Sequence, residues 1–467
     1  MKKLDNLTFL FIIIALEGYV VLSAELLAMR VTLPFTGTGT DLFAIIIASV
    51  LMPLAFGYQA GGNFKRKQSD GTTQTIRKKL LKNIAIASII LLPGLTYMIL
   101  QFFFYALSQA GIENTLLQIM LYCLVFLMYP VYLLGQTVPL LCHYFSEDKR
   151  AQITGKMLFF STLGSLSGSI FTTLILMDTI GMHHTVSVLF AVLTILAIMI
   201  GTKKTRETTL LMISVLGISL ILNSNQSMEM LSIVKNNKYS TIMIFNFDAE
   251  HQSNQADEGE GNTHLFVNNN DSSMYGKNGE KHKYIEFAEK ITIHNIPKES
   301  NAKDILVIGA GGFTFGHNDL KNNYIYLDID KDLKTISEKY LLKEPLQPNK
   351  TFFAQPARAY LAQTEKKFDI ILVDAYLGGL SIPEHLVTQE FFSEVKEHLK
   401  EGAIVVANFI ISPNFNNLYS KNIDNTLRSV FPYISRHNIE ETFDLWTNSK
   451  TQSANFIYIY KHDTLVK

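Results

Sequence analysis

Long apolar runs fill the first half of the chain and stop near residue 224, after which short apolar runs alternate with polar stretches. A helix crossing the hydrocarbon core of a bilayer needs roughly 20 apolar residues, because its backbone amides find no water there. Segments 7–33, 41–62, 80–107, 115–141, 157–177, 183–201 and 208–223 meet or approach that length and predict a bundle of about seven transmembrane helices. The last is the weakest, its short apolar core flanked by Thr208 and Asn223. Pro53, Pro93, Pro130 and Pro139 fall inside these runs, as membrane helices tolerate. Gly164 and Gly168, four apart, predict a surface for close helix packing.

Lys and Arg cluster at Lys65–Lys67, Arg77–Lys79, Lys149–Arg150 and Lys203–Arg206, whereas the alternate loops near residues 111–115 and 179–184 carry neither. Basic loops stay on the cytoplasmic side. Seven crossings then put the second half outside the cytoplasm, and six, with 208–223 lying in the interface, keep it inside. Ionisable groups within spans are costly and mark function or interhelical pairing. Glu17 and Glu25 share a broad face of the first span, with Arg30 about one turn beyond. A proton or cation path and an ordinary interhelical contact are both open for them.

Beyond residue 224, YSTIMIFNF (239–247) and 264–268 read as short strands joined by the solvated stretch 248–262, and helical spacing begins near Tyr284. These form a small β-rich lead-in. A buried-strand run, Ile305–Ile308, feeds Gly309-Ala310-Gly311-Gly312, where a nucleotide can approach backbone amides. The next strand, 324–330, ends in Asp328 and Asp330, and an acid about 20 residues after a glycine turn commonly accepts ribose hydroxyls. A third strand, 368–374, ends in Asp374, at the sheet edge where open α/β sheets bind ligands. The pattern continues with a helix over 391–399, ended by Gly402, and a strand over 403–409. Alternating strands and helices predict a doubly wound, mostly parallel sheet. The chain thus divides into a helical bundle (1–224), a β-rich lead-in (225–296) and a Rossmann-type α/β domain (297–467).

Composition narrows the chemistry. Zero net charge over 467 residues, without a basic stripe, argues against nucleic acid. Cys123 and Cys142, both in apolar segments, make neither a disulfide framework nor a cysteine zinc site. His251, His264, His282 and His294 lack metal-ligand spacing and read as scattered surface residues, so no metal is expected. Neither a nucleophile elbow nor a Walker loop occurs.

From about Tyr239 to Tyr460 the chain resembles the spermidine synthase family, aminopropyltransferases with a methyltransferase-type Rossmann fold. More closely, it resembles bacterial proteins that fuse such a domain to a membrane bundle. The resemblance rests on ILVIGAGG (305–312), YLDID (326–330), FDIILVDAY (368–376) and IPEHLVTQEFF (382–392). The stretch 269–286 resembles the family's substrate-gating strand pair. The resemblance implies decarboxylated S-adenosylmethionine as co-substrate and a polyamine-like amine as acceptor. By position it implies nucleoside contacts from Gly309, Gly311, Gly312 and Asp328. It also implies Asp374 as catalytic acid or base, with Tyr284 and Glu286 as an aromatic–acid pair near the amine. The chain departs from the family at four places. Gly312 stands where the glycine loop carries an Asp, Pro356 where an acid meets the adenine, Leu377 where a second acid follows the catalytic strand, and Ser272 where the gating strand carries a Gln.

Three functions fit this reading. One is a membrane-anchored transferase moving an aminopropyl or related group from an adenosyl donor. Another is a non-catalytic domain that binds a polyamine or a protein partner and regulates the bundle. The third is a transporter with a sensor domain. The expected setting is the bacterial cell membrane, with the bilayer as partner and homo-oligomerisation left open.

Overall fold

The computed structural model describes residues 7–64, 72–145, 147–247, 261–297, 299–376, 382–444 and 449–462. The chain forms two compact units, Met1–Leu231 with Asn236–Lys238, and Ser232–Lys235 with Tyr239–Lys467.

The first unit is helical. Its helices are α1 (Leu7–Thr36), α2 (Thr40–Gly62), α3 (Thr72–Leu95), α4 (Tyr97–Gln109), α5 (Thr115–Tyr122), α6 (Met128–Gly135), α7 (Thr137–Cys142), α8 (Glu147–Ile170), α9 (Met177–Thr179), α10 (Met182–Ile200), α11 (Arg206–Leu222) and α12 (Asn225–Met230). The stretch from α5 to α7 is one apolar rod of 28 residues (Thr115–Cys142), and α8 continues through α9 to Thr179, each passing through a π turn. By length and composition, six helices among the described residues suffice to cross a membrane, or seven if the bent pair α3–α4 counts as one. That pair, expected as a single run over 80–107, bends by 71°. Pro93 withholds one helical amide and Thr96 turns extended. The Tyr122 hydroxyl donates to the Gly94 carbonyl (2.9 Å) and Thr96 Oγ1 to that of Leu92 (2.7 Å), so carbonyls beside the break keep partners.

Helix α1 packs along α8 through the glycines that the sequence marks. A Cβ on Gly164 would lie 1.9 Å from the Ala15 carbonyl oxygen, and one on Gly168 2.6 Å from that of Tyr19. Backbone thus meets backbone, and Ser165 Oγ donates across the seam to the Gly18 carbonyl (3.1 Å). Glu17 and Glu25 are both buried in this unit. Arg30 Nε donates to the Asn237 carbonyl, also in this unit (2.8 Å).

The second unit holds two sheets. The smaller comprises β1 (Ile233–Asn236), β2 (Thr241–Phe247), β3 (Asn262–Val267) and β4 (Asn270–Tyr275), in that order. Asn268 and Asn269, both with positive φ, make the two-residue turn of the β3–β4 hairpin. The stretch 248–260, expected as a solvated loop, lies outside the described residues. After α13 (Lys283–Ile291) come β5 (Asp304–Ile308), β6 (Asn323–Asp328), α14 (Asp332–Ile336), β7 (Lys350–Ala354), α15 (Ala357–Gln363), β8 (Phe368–Val373), α16 (Gln389–Glu397), β9 (Leu399–Ile411), α17 (Leu418–Val430), β10 (Ser435–Asp444) and β11 (Ser449–Lys461). The seven-stranded sheet runs β10-β11-β9-β8-β5-β6-β7. Strands β5 to β9 are parallel and β10–β11 antiparallel, so the sheet is mixed. Gly402 does not end a helix. It sits inside β9 with positive φ, donating to the His462 carbonyl (2.8 Å), near a register shift against β8.

Covering on both faces explains the continuous apolar runs of β5 and β8. Ile305, Val307, Ile370 and Leu372 enter the core cluster that includes Tyr284 and Ala288 of α13. Leu306, Ile308, Ile371 and Val373 enter the opposite cluster, with Phe391 and Val395 of α16.

Candidate active site

The carboxyl ends of β5, β6, β8 and β9 bring the polar residues together. Strand β8 delivers Asp374, whose amide donates to the Ile308 carbonyl (2.8 Å), so the acid sits one residue past the ladder, where a side chain can leave the sheet. Its Oδ2 accepts from the Tyr284 hydroxyl of α13 (3.0 Å) and its Oδ1 from Asn408 Nδ2 of β9 (2.9 Å). Burial pushes the Asp374 carboxyl up from the ordinary value, and the Asn408 and Tyr284 hydrogen bonds and the charge of His282 only partly offset this. Burial and the same carboxylate push the Tyr284 phenol well up, so it remains a donor. Behind them, the Tyr376 hydroxyl donates to the Asn408 carbonyl (3.3 Å) and accepts from the Ile410 amide (2.6 Å).

The glycine loop abuts this group. Gly309 has φ +91°, and a Cβ there would meet the Asp374 carbonyl oxygen at 2.0 Å, so loop and acid can approach this closely only with glycine. Gly311 has φ +49° and faces Ser273 and Ser272 of β4. The Gly312 amide donates to Ser273 Oγ (2.8 Å). A Cβ on Gly312 would lie 2.3 Å from Leu341 Cδ2 and 2.7 Å from Ser273 Cβ. Ser273 and Leu341 thus fill the space that an acid at this position would need.

Asp328 closes the other side. Its Oδ2 accepts from the Ala310 amide (3.2 Å) and its Oδ1 from the Asp330 amide (3.0 Å), tying β6 to the glycine loop. Burial raises its carboxyl to about 6, with the charge of Asp330 adding to the rise and backbone amides opposing it. Asp330 is buried, accepts from Ser240 Oγ and takes the Asp332 amide (3.0 Å), which makes it a structural anchor.

Of the residues singled out from sequence, Asp374 and Tyr284 meet directly, and Gly309, Gly311, Gly312 and Asp328 line the adjoining loop. Glu286 does not join them. It is exposed on α13, where Oε1 accepts from the Lys281 amide (3.3 Å). One turn further, Glu289 is the buried acid of this helix, accepting from Lys281 Nζ (2.6 Å) and from the Gly316 amide (2.6 Å). Pro356 precedes the first turn of α15, and Leu377 lies outside the described residues. Sequence reading missed Asn408, although an amide inside the apolar run AIVVANFII (403–411) is a signal that it has a partner.

The histidines also need correction. His264 is not a surface residue but is buried on β3. Its Nδ1 lies 2.8 Å from Asp271 Oδ2, and His282 Nε2 lies 3.2 Å from Asp271 Oδ1. Spacing along the chain hides this, because the hairpin brings β3 and β4 side by side. Burial would raise the Asp271 carboxyl, but the two histidines outweigh it and hold it at about 2. His294 is exposed, and His251 lies outside the described residues.

Similarity to known proteins falls on the second unit. Residues 286–441 match the family model of the spermine/spermidine synthase domain. The second unit is spermidine-synthase-like. Relatives of the spermidine-synthase-like region include a probable polyamine aminopropyl transferase of Bifidobacterium longum, 30% identical over 136 residues, covering 28% of this chain and 29% of that protein. Polyamine aminopropyltransferase 1 of Aquifex aeolicus is 30% identical over 158 residues, covering 32% and 55%. The polyamine aminopropyltransferase of Pyrobaculum aerophilum is 26% identical over 247 residues, covering 50% and 76%. The chain thus spans between about a third and about half of the first two of these relatives. Among solved structures, a probable spermidine synthase from Corynebacterium glutamicum aligns with a TM-score of 0.37 at 19% identity, covering 48% of this chain and 77% of that one. Spermidine synthase from Thermotoga maritima aligns with a TM-score of 0.34 at 18% identity, covering 48% and 70%.

Proposed function

We propose that this protein is a membrane-anchored transferase of the aminopropyltransferase type, which moves an aminopropyl or related alkyl group from an adenosyl sulfonium donor to a polyamine-like amine. The observation that carries the reading is Asp374, held at the carboxyl edge of β8 between the Tyr284 hydroxyl and the Asn408 amide, against the glycine loop. In the proposed step the amine nitrogen attacks the carbon bonded to the sulfonium. The new N–C bond forms as the C–S bond breaks, its electron pair going to sulfur to leave a neutral thioether. The amine proton passes to Asp374, whose raised affinity suits a base. Asp328 and the amides of the glycine loop would hold the nucleoside.

The filled position at Gly312 bears on the donor. A charged hydrogen bond is worth about 1.5–3 kcal/mol, so a donor bound here without an acid at Gly312 relies on contacts other than one to its amino group. This favours a related alkyl group alongside aminopropyl. Lipid anchoring is supported by the six apolar helices and the bent pair. The donor reading requires the second unit to share a compartment with adenosyl donors. Counted over seven crossings the basic loops would put it on the other side of the membrane, and over six, with 208–223 in the interface, they would keep it inside. A reporter fused after Lys467 decides between them, and activity outside the cytoplasm overturns the adenosyl donor. Calorimetry of the detergent-solubilised chain with adenosyl donors, their thioether product and polyamines tests binding. Heat with the nucleosides is expected, and none at millimolar concentration removes the transferase reading. Asp374→Asn should abolish turnover and spare nucleoside affinity; unchanged turnover removes Asp374 from the mechanism.

A further inference from the structure

Two histidines and an aspartate meet outside the group built around Asp374. His264 comes from β3, Asp271 from β4 and His282 from the residue preceding α13. Asp271 pairs with Phe266 across the hairpin, and His264, two residues earlier, shares that face because side chains repeat every second residue along a strand. One ligating atom from each of the three residues lies within 4.8 Å of the other two. Two nitrogens bound to one tetrahedral zinc ion at about 2.0–2.1 Å stand about 3.3 Å apart, a contraction within reach of side-chain rotation.

Asp271 bridges the two histidines, so His264 meets the cluster through Nδ1. His264 is 6% exposed, and its Nε2 is buried without a hydrogen-bond partner among the described residues. A neutral imidazole is the form that binds metal. The apolar rings around it, Phe247 edge-on at 4.8 Å and Phe266 at 6.3 Å, supply no hydrogen bond of ordinary strength. Side-chain exposures of 27% at Asp271 and 15% at His282 leave a route in from water.

We propose that His264, Asp271 and His282 form a binding site for a first-row divalent ion of the zinc type, with two imidazole nitrogens and one carboxylate oxygen as ligands. Two imidazoles and one carboxylate are a set that zinc accepts, with water completing the tetrahedron. Bound there, the ion clips three chain segments together. Two of them bear on the candidate active site: β4 carries Ser272 and Ser273 against the glycine loop, and His282 stands two residues before Tyr284, its ring stacked on the tyrosine at 5.9 Å. The site is independent of the transferase reading, since neither nucleoside nor amine takes part.

The test is zinc binding to the full chain in detergent, stripped first with chelator and titrated in competition with a chromophoric chelator. Cobalt substitution then gives the ligand-field spectrum. The wild type should bind one equivalent of zinc that His282→Gln and Asp271→Asn each weaken at least tenfold, and the cobalt complex should show a tetrahedral spectrum that both substitutions remove. His282→Gln alters a partly exposed position before the helix, and its unfolding temperature without metal checks that it folds. Absence of stoichiometric binding by the wild type overturns the proposal, as does equal affinity in folded His282→Gln.

Discussion

Placing a side chain at Gly312 probes why an acid is missing from the glycine loop. The φ of Gly312 is not in the left-handed region, so alanine there meets no backbone strain, and its cost is steric. The new Cβ would lie 2.3 Å from Leu341 Cδ2, 2.7 Å from Ser273 Cβ and 3.0 Å from Ser273 Oγ. Leu341 and Ser273 are themselves buried, which limits how far they can retreat. Overpacking of this kind costs about 1–3 kcal/mol. Replacing glycine stiffens the unfolded chain and returns about 0.4–1 kcal/mol. The net for Gly312→Ala is then about 0–2.6 kcal/mol of destabilisation, or up to roughly 10 °C in the unfolding temperature of a unit this size, and Gly312→Asp should cost more. The assay is thermal unfolding of the second unit's transition in the detergent-solubilised chain, read with a double-mutant cycle. Leu341→Ala alone should cost about 2–5 kcal/mol, and the pair should fall short of additivity by at least about 1 kcal/mol because the alanine enters the space that leucine leaves. Additive losses, or a Gly312→Asp protein as stable as wild type, would refute the packing explanation.

Asp328 makes stability depend on pH. Its folded value near 6 lies above the ordinary 3.8, so the native state binds the extra proton and the contribution is full below about 4 and lost as pH rises through about 6. The span bounds it at about 3 kcal/mol, and Asp328→Asn should gain stability relative to wild type as pH rises from 4 to 7; a flat difference in paired pH–unfolding curves contradicts the shift. Glu289→Ala should cost about 3–5 kcal/mol by leaving Lys281 buried and unpaired, as denaturant unfolding would register, whereas replacing both partners by apolar residues should cost less. Gly164→Leu should separate α1 from α8 and lower the bundle's unfolding temperature, while Gly155→Leu, with nothing within 4 Å of its Cβ, should leave it unchanged.

Apolar run length marked the helices of the first unit, and Gly164 and Gly168 marked its closest seam, because both signals are local. The bend between α3 and α4 was not legible in this way: Pro93 lies in the run, but the break depends on Thr96 turning extended and on Tyr122, far along the chain, bonding the Gly94 carbonyl. In the second unit, β5, β6 and β8 could be read from their buried runs, and their terminal acids from the rule that ligands bind at the carboxyl edge of parallel strands. Tertiary structure sorted those acids. Asp374 gains Tyr284 and Asn408 from two other elements, Asp330 is used up as an anchor, and Glu286 yields the buried face of α13 to Glu289 because helical rotation carries it outward. It also joined His264, Asp271 and His282, whose spacing carries no ligand signature, because strand pairing and not chain distance decides which side chains meet. Sequence alone determined the two-part architecture, since run length and periodicity are properties of neighbours along the chain. Which carboxylates face one another, and whether Gly312 has room for an acid, were decided only when distant segments packed.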